Sequence, residues 1–338
     1  MTVGVAIVGC GAVTRIVHVP VLGMLADLAR VVAVCDPDAQ RASEVARLVG
    51  GAKTYARLDD GLGDPDVEAV DICTPHALHA ALTVRSLEAG RHVLVEKPLA
   101  TTFADGQRMV AAAHQAGRVL AVNEQIRFGP GLRAGRTAIE HGAIGELVSV
   151  RAHRLFELPP PYASSGWRND PADPSAGILI DQGPHYVHLL RRLVGGVAGE
   201  ITHASAIAAS VVAPAAVVHV RFASGLIGEL LLAWNVPTPP SAGVGYAFGT
   251  RGSLEVDRRD AALVVYDAAG EAQATTSNEG YLHTVRACIG DFLRAASGQS
   301  AGPEMSGEEG LRDLAVVAAA LRSIASGQLE HVQTVTQS

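Results

Sequence analysis

Residues 3–14 read VGVAIV-GCGAVT, from Val3 through Gly9 and Gly11 to Thr14. The first six residues are apolar throughout, which is typical of a strand buried on both faces of a parallel sheet. Gly9 then permits a tight turn, Gly11 permits a close approach of a pyrophosphate, and the helix start from Ala12 and Val13 offers unpaired N–H groups. Thr14 replaces the third glycine of the GxGxxG pattern, so the fingerprint is incomplete.

A carboxylate follows at the distance that a dinucleotide site requires. Asp36 ends the second predicted strand, 25 residues after Gly11, where it can accept hydrogen bonds from an adenosine ribose. It would repel a 2′-phosphate, and no Arg or Lys follows before Arg41, so NAD is favoured over NADP. The alternative is that the glycines are ordinary turn residues and that Asp36-Pro37-Asp38 only caps a helix.

The first 125 residues alternate apolar runs with Ala- and Leu-rich segments, which predicts βαβ units. The predicted strands are Val3–Val8, Val31–Cys35, Val67–Cys73, His92–Glu96 and Val119–Asn123. The predicted helices are Val13–Leu28, Ala39–Val49, His76–Ala89 and Phe103–Ala116. We therefore expect residues 1–125 to form a doubly wound parallel sheet.

Residues 126–338 have a different texture, with several short strands separated by turns, and we expect one α+β domain with a large open, mostly antiparallel sheet. The predicted strands are Gly145–Glu157, Ile201–Ser210, Ala216–Phe222, Leu226–Asn235, Val244–Gly249, Ser253–Val256 and Leu263–Tyr266. The predicted helices are Gly183–Leu193, Leu282–Ala296 and Glu308–Ser326. The tail from His331 either frays or pairs as an edge strand.

Composition excludes several classes of protein. The 338 residues carry 27 Lys and Arg against 34 Asp and Glu, a net charge of −7, and no basic run, so we expect no nucleic-acid partner. Apolar stretches end well before the ~20 residues of a membrane span, so no membrane partner is expected. The chain starts without a secretory pattern and its four cysteines form no CxxC pair, which indicates a cytoplasmic protein.

Two further segments carry groups suited to proton transfer. Lys97, in Val95-Glu96-Lys97-Pro98, leaves the carboxyl end of a predicted strand, where ligands bind in open α/β sheets. If a helix begins at Asp181, then Asp181 and His185 lie one turn apart on one face, as a carboxylate–imidazole pair would require. The alternatives are a solvated lysine in a turn, an N-capping Asp181 and a core His185.

A metal site is not expected. His76 with His79 and His185 with His188 are spaced as HxxH pairs, but the sequence has no HExxH motif and no Cys-rich knuckle. The cysteines at strand ends are interpreted as small buried fillers, since no activating partner is identifiable.

Taken in order, these motifs resemble those of the glucose–fructose oxidoreductase and inositol dehydrogenase (Gfo/Idh/MocA) family. The matching residues, between residue 3 and about residue 195, are Gly9-Cys10-Gly11-Ala12, Asp36, Cys73-Thr74-Pro75 with His79, Glu96-Lys97-Pro98, Arg127-Phe128, Gly166-Trp167-Arg168, and Asp181 with His185. The resemblance implies a Rossmann domain, an open-sheet α/β domain, and a homodimer or homotetramer formed through that sheet.

The resemblance also assigns roles to individual residues. It implies a catalytic set of Lys97, Asp181 and His185. The cofactor-contacting positions are Gly9, Gly11, Ala12, Val13, Asp36, Thr74, Pro75, His79, Glu96, Lys97, Trp167 and Arg168. The expected substrate-binding residues are Gln125, Arg127, Asp181, His185 and His188; His188 stands where the family often has Asp, and Gln125 lies in a segment that departs from the family pattern.

The resulting hypothesis is an NAD-dependent oxidoreductase that transfers a hydride between nicotinamide and a secondary alcohol or ketone of a sugar, cyclitol or sugar derivative. His185 and Lys97 form the pair for proton transfer and alkoxide stabilisation, and Asp181 orients. Three alternatives remain open: an NAD-dependent glycosidase of the same family, a nucleotide-sugar ketoreductase, and a non-catalytic protein that senses sugar or NAD.

Overall fold

The computed structural model describes residues 2–163, 166–170, 172–173, 175–237, 244–258 and 261–335. The chain divides into two compact units. The first comprises Met1–Gln125 and Gly280–Leu311, and the second comprises Ile126–Glu279 and Arg312–Ser338. Sequence analysis placed all of 126–338 in the second domain, so the segment 280–311 lies with a different unit from the one expected.

The first unit is a doubly wound parallel sheet, as predicted. Its strands are β1 Val3–Val8, β2 Ala29–Cys35, β3 Lys53–Tyr55, β4 Ala69–Ile72, β5 His92–Glu96 and β6 Leu120–Asn123. They are all parallel, in the order β3-β2-β1-β4-β5-β6. The strand order reverses between β1 and β4, and the crevice at such a reversal is where open α/β sheets bind ligands. The short edge strand β3 was not predicted.

The helices differ most from prediction where proline or glycine interrupts them. They are α1 Val19–Gly23, α2 Ala39–Leu48, α3 Leu58–Leu62, α4 His79–Glu88, α5 Phe103–Ala116, α6 Pro130–Glu140, α7 Pro160–Ala163, α8 Ile178–Ala198, α9 Tyr281–Ala296 and α10 Gly307–Ser326. The single helix expected over Val13–Leu28 is instead a π-helical turn, Thr14–His18, followed by the short α1. Pro20 lies at the start of α1 and lacks the N–H that a continuous helix would need there.

Helix α9 explains why 280–311 belongs to the first unit. Its buried residues Ile289 and Phe292 pack in one core with Val21 and Leu25. The backbone segment before α10 also reaches β6, because Val122 donates its N–H to the carbonyl oxygen of Met305 at 3.0 Å. The amphipathic pattern of α9 shows that one face is buried but does not identify the sheet that buries it.

The second unit contains a nine-stranded mixed sheet in the order β14-β13-β12-β11-β7-β10-β9-β8-β15. The strands are β7 Leu147–Phe156, β8 Ile201–Ala208, β9 Ala215–Phe222, β10 Ile227–Trp234, β11 Gly245–Gly249, β12 Gly252–Arg258, β13 Ala261–Asp267, β14 Ala272–Thr275 and β15 Glu330–His331. Only the β7–β10 pair is parallel among these pairings of described residues. The mostly antiparallel sheet was predicted, whereas β14 and α6 were missed. Of the tail expected either to fray or to pair, His331 pairs with His203 of β8, and residues 336–338 lie outside the described residues.

The long helix α8 begins five residues before the predicted start at Gly183. The Gly-Pro pair at 183–184 looks like a helix start in sequence, but Pro184 lies inside the helix, within its first two turns. The true start follows Gly177, whose φ of +95° few other residues adopt. Among the described helices, none is long and apolar enough to cross a membrane.

Candidate functional site

The glycine loop after β1 leaves space over its backbone. Gly9 has a φ of +92° and donates its N–H to the carbonyl oxygen of Cys35 at 2.9 Å, while the hydroxyl of Thr14 donates to the carbonyl oxygen of Gly9 at 2.6 Å. A β-carbon placed on Gly11 would meet no heavy atom of the described chain within 4 Å. Thr14, which replaces the third glycine, therefore stabilises the turn.

Asp36 is held firmly at the end of β2. Its Oδ2 accepts the N–H of Cys10 and its Oδ1 accepts the N–H of Asp38, both at 2.8 Å. These two bonds orient the carboxylate and leave it further lone pairs for a ligand. Arg41, which looked too distant in sequence, has its Nε 3.9 Å from Asp36 Oδ1 and 2.9 Å from Asp38 Oδ2. Helix α2 starts at Ala39, and its first turn brings Arg41 back to Asp36.

Thr74 and His79 form the next part of the crevice. The Oγ1 of Thr74 is buried and has no hydrogen-bond partner among the described residues. His79 is fully buried, with Nδ1 2.7 Å from the carbonyl oxygen of Pro98 and Nε2 3.0 Å from that of Thr74. Burial lowers the pKa of His79, so the neutral ring donates to one of these oxygens. The ring thus braces the turns at Thr74 and Pro98 through their backbones; Pro75, beside Thr74, is exposed.

These features fit a dinucleotide. Buried hydroxyls are nearly always hydrogen-bonded in folded proteins, so the unpartnered Oγ1 of Thr74, beside the glycine loop, is suited to bond a ligand there. The open space at Gly11 and the N–H groups at the helix start through Ala12 and Val13 suit a pyrophosphate. Asp36 suits the ribose hydroxyls.

Glu96 and Lys97 lie where β5 ends. Glu96 Oε2 accepts the N–H of Lys97 at 3.2 Å, and Oε1 accepts the side-chain amide of Asn123 at 2.7 Å. The Nε2 of His18 lies 2.8 Å from the same Oε1. Burial alone would raise the pKa of Glu96, but the hydrogen bond and charge of His18 lower it to about 2. Glu96 is therefore a buried carboxylate directly beside Lys97.

Sequence analysis missed His18 and Asp71. His18 is fully buried and its Nδ1 lies 2.7 Å from Asp71 Oδ2. Asp71 and Glu96 are 53 and 78 residues away from His18 along the chain, so no local pattern connects them. In the sequence, His18 could be noticed only as a histidine about one helical turn after a glycine loop. That pattern is too common to predict a role.

One group of side chains in the first unit has the ligand types of a metal site. Among the described residues, His18, Asp71 and Cys73 have ligand atoms close enough to share an ion. The 2.7 Å between His18 Nδ1 and Asp71 Oδ2 is, however, the separation of a direct hydrogen bond. Neither HxxH pair belongs to that described group.

The cysteines at the strand ends are unsuited to thiolate chemistry. Burial raises the pKa of Cys10, Cys35 and Cys73 to about 12, and the charge of Asp36 contributes at Cys10. The thiols stay protonated near neutral pH, which agrees with the interpretation of these residues as fillers.

In the second unit, α8 carries Asp181 and His185 one turn apart. Because the helix begins at Ile178, Asp181 lies inside it and is not an N-cap. Asp181 is buried, with Oδ2 3.6 Å from the Nε of Arg168 and accepting the side-chain amide of Gln182 at 3.3 Å. His185 is 8% exposed. An oriented carboxylate and an imidazole on one helix face can together hold and move a proton.

The segment around Trp167 lies beside Asp181 within the second unit. The guanidinium of Arg168 lies 4.3 Å from the Trp167 ring and 5.6 Å from that of Tyr162. The backbone carbonyl oxygen of Arg168 accepts the N–H of Gly177, and this hydrogen bond connects the segment to the start of α8. Of the loop 157–173 that was expected to shape the pocket, residues 164, 165 and 171 lie outside the described residues.

His188 has a different setting from His185. It is fully buried and its Nδ1 lies 2.8 Å from Asp313 Oδ2, while Asp313 Oδ1 accepts Nη1 of Arg191 at 2.5 Å. Burial would raise the pKa of Asp313, but the charges of His188 and Arg191 outweigh it and lower that pKa. The Nε2 of His188 is buried and has no hydrogen-bond partner among the described residues.

The expected site residues are distributed over both units. Gln125, with Lys97, belongs to the first unit, and Arg127, Asp181 and His185 belong to the second. Gln125 and Arg127 share one short 3₁₀ turn, Gln125–Phe128, and both side chains are partly exposed.

Two family models match this chain. Residues 3–124 match an oxidoreductase-family model described as an NAD-binding Rossmann fold, and residues 132–255 match the GFO/IDH/MocA C-terminal domain. The chain is 32% identical to 1,5-anhydro-D-fructose reductase of Ensifer adhaerens over 313 residues, 90% of this chain and 91% of that one. It is 27% identical to myo-inositol 2-dehydrogenase of Thermotoga maritima over 339 residues, 95% and 96% of the two chains.

Solved structures show the same architecture. The WlbA dehydrogenase of Bordetella pertussis, in complex with NADH and UDP-GlcNAcA, superposes with a TM-score of 0.81 and 25% identity, covering 99% of this chain and 100% of that one.

Proposed function

This chain belongs to the Gfo/Idh/MocA oxidoreductase family, and from that premise we propose an NAD-dependent dehydrogenase or reductase. Its substrate is a secondary alcohol or ketone on a sugar, a cyclitol or a sugar derivative. One observation carries the proposal. The Rossmann unit combines an open glycine turn and an unpartnered Thr74 hydroxyl, at the switch point between β1 and β4, with an oriented Asp36 at the end of neighbouring β2.

The proposed chemistry divides between the cofactor and the chain. Bound NAD supplies hydride exchange at its nicotinamide ring. His185 takes the proton of the substrate hydroxyl in oxidation and returns it in reduction, since imidazole exchanges protons near neutral pH. Lys97 donates a hydrogen bond to the same oxygen and stabilises its alkoxide character. Asp181 orients His185 or a neighbouring hydroxyl.

We favour NAD over NADP because Asp36 presents a buried carboxylate where a 2′-phosphate would otherwise lie. Arg41 beside it argues in the other direction, since a guanidinium suits a phosphate. Titration of the protein with NADH and with NADPH, followed by nicotinamide fluorescence, separates the two. Tighter binding of NADH is the expected result, and equal or tighter binding of NADPH rejects the preference.

Two relatives support the proposed substrate class, since by name they act on 1,5-anhydro-D-fructose and on myo-inositol. The first is a cyclic hydroxy ketone and the second a cyclic polyol, and both carry oxygens on neighbouring ring carbons. We therefore propose a ring substrate held by Asp181, Gln125 and Arg127, with Nε2 of His188 as a fourth contact. The WlbA complex with UDP-GlcNAcA makes a nucleotide sugar the second candidate.

The function is tested with a panel of inositols, anhydro sugars, aldoses and UDP-sugars, with NADH formation and consumption both followed at 340 nm. Turnover of at least one ring polyol or its ketone is expected. Tight NADH binding without turnover of any member, in either direction, would leave a sensing protein as the better description.

We also propose that two copies of this chain associate through the face of the second sheet that carries Ile207, Ile227 and Phe248, here called its outer face. Ile207, Ile227 and Phe248 lie in β8, β10 and β11 with 72%, 61% and 38% of their surface exposed. Ile227 and Phe248 both pair with Ser149 of β7 and so share one face of the sheet. Arg151 and Glu229 on neighbouring strands give that face both signs of charge, as a self-complementary interface requires.

A further inference from the structure

His18, Asp71 and Glu96 form a buried hydrogen-bonded group at the end of β5. No step of the proposed chemistry uses this group. The imidazole of His18 stands between two carboxylates, with Nδ1 2.7 Å from Asp71 and Nε2 2.8 Å from Glu96. His18 and Asp71 have 0% and 2% of their side chains exposed, and Glu96 has 12%. All three residues lie in the first unit, so their geometry belongs to one compact body.

The two carboxylates that face the ring nitrogens bear on the charge of His18. An ionised carboxylate can only accept hydrogen bonds, so each ring nitrogen that faces one must carry a hydrogen. Burial alone would lower the pKa of His18, but the charge of Asp71 raises it well above its ordinary value. The raised pKa of His18 and its two carboxylate contacts favour an imidazolium, an arrangement in which opposite charges would compensate one another.

Glu96 connects this group to Lys97. Its Oε1 is shared by His18 Nε2 and the amide of Asn123, which leaves Oε2 turned to the N–H of Lys97 at 3.2 Å. Lys97 is the next residue along the chain, so the orientation of the Glu96 carboxylate acts directly on its backbone.

We propose that His18 is a positioning residue for Lys97, acting through Glu96, with Asp71 holding His18 in place. The proposal rests on the proposed function for the catalytic role of Lys97. The contacts among His18, Asp71 and Glu96 are independent of that role. A ring held from both sides fixes one carboxylate orientation, and that orientation fixes the lysine backbone at the carboxyl end of β5. Small displacements of a reacting group are costly in rate, with about 1 Å corresponding to about 100-fold.

The first test needs no substrate. In ¹⁵N-histidine-labelled protein at pH 8, His18 should show the nitrogen shifts of an imidazolium, identified by their loss in His18→Gln. In a second sample labelled with ¹⁵N-lysine, the backbone amide peak of Lys97 should move in His18→Gln and in Asp71→Asn. The Lys97 peak should stay in place in His92→Gln, which is the control. His92 is a half-buried histidine at the opposite end of β5, and its Nδ1 accepts the N–H of Val119.

The second test compares rate with cofactor binding. His18→Gln should lower kcat about 10- to 100-fold while changing the Kd for NADH by less than about 2-fold. Because His18 acts through Glu96, the double variant His18→Gln with Glu96→Gln should be no slower than the slower single variant. His92→Gln should keep the wild-type kcat. If His18→Gln does not fold, Asp71→Asn carries the same readouts.

Three results would overturn the proposal: a neutral His18 ring at pH 8, an unmoved Lys97 amide, or effects on kcat that simply add in the double variant. Absence of turnover by the wild-type protein would instead reject the proposed function, and the two NMR readouts would then decide the positioning of Lys97 by themselves.

Discussion

The carbonyl oxygen of Cys73 lies 2.8 Å from the point that a β-carbon on Gly9 would occupy. Gly9 also has a φ of +92°, whereas a β-carbon on Gly11 would stand in open space. Two glycines of one motif therefore serve different needs. Gly9 is required by the fold, and Gly11 leaves room for a ligand.

Gly9→Ala should lower the free energy of unfolding by about 1–3 kcal/mol, because a left-handed backbone and a close carbonyl both oppose the methyl group. Gly11→Val should leave the apo protein's Tm within about 2 °C of wild type and abolish NADH binding. Thermal melts with and without NADH measure both effects. A Gly11→Val variant that binds NADH normally would contradict the assignment of this loop.

Thr74 and Thr83 offer a matched pair, since each has a buried Oγ1 with no partner among the described residues. Replacing either with Val removes an unsatisfied hydroxyl, so both apo variants should be as stable as wild type or more stable by about 1 kcal/mol. Only Thr74→Val should weaken NADH binding, by about 5- to 10-fold for one lost hydrogen bond. Equal NADH affinity in the two variants would remove Thr74 from the cofactor site.

Lys53 and Lys97 are the only lysines in the sequence. Lys97→Met and His185→Ala should each lower kcat by about 10²–10⁴ and leave NADH binding nearly unchanged. Lys53→Met is the control, because Lys53 is exposed and its Nζ lies 2.8 Å from Asp64, outside the proposed catalytic set. Wild-type rates in both Lys97→Met and His185→Ala, on a substrate the wild type uses, would refute their roles.

Asp257 should make the protein less stable as pH rises. Burial raises the pKa of Asp257 to about 6, partly offset by the hydrogen bond it accepts from the N–H of Gly131. A raised folded pKa means that the folded state binds the proton more tightly. The associated stability is complete below pH ~4, the ordinary carboxyl pKa, and is lost as pH rises to about 6.

Asp257→Asn should therefore be more stable than wild type by about 1–3 kcal/mol at pH 7.5, with the difference vanishing near pH 4. The amide oxygen still accepts from Gly131, and Asn tolerates the φ of +53° at this position. Urea unfolding at both pH values measures the effect. A gain of the same size at pH 4 and pH 7.5 would contradict the titration and leave backbone preference as the cause.

The outer face of the second sheet should hold two copies together. Each chain has a mass of 35.0 kDa. Ile227→Glu should shift the sedimentation of the protein toward the monomer, since a buried unpaired carboxylate opposes association. Ile16→Glu alters a comparably exposed isoleucine of the first unit, at 47%, and should sediment as wild type does. A wild-type protein that sediments as a monomer would reject the proposed interface.

Local signals were enough to predict much of the candidate site. The glycine turn, the carboxylate at the end of β2 and the placement of Lys97 after β5 each depend on a strand and the few residues that follow it. The start of α8 was misjudged, because Pro184 looks like a first-turn residue. The prediction that Asp181 and His185 lie one turn apart was nevertheless correct, because four residues make about one turn wherever the helix begins.

The alternation of strands and helices, the parallel sheet and the acidic residue at the end of β2 are thus determined by the sequence, because hydrophobic periodicity and turn residues act within about 20 positions. Only the folded chain brings Asp71 and Glu96 to His18, Asp313 to His188 and α9 to the first sheet. Those partners are 53 to more than 100 residues apart along the chain. Burial obliges each of these polar or apolar groups to find a partner, but which partner it finds depends on the packing of the whole unit.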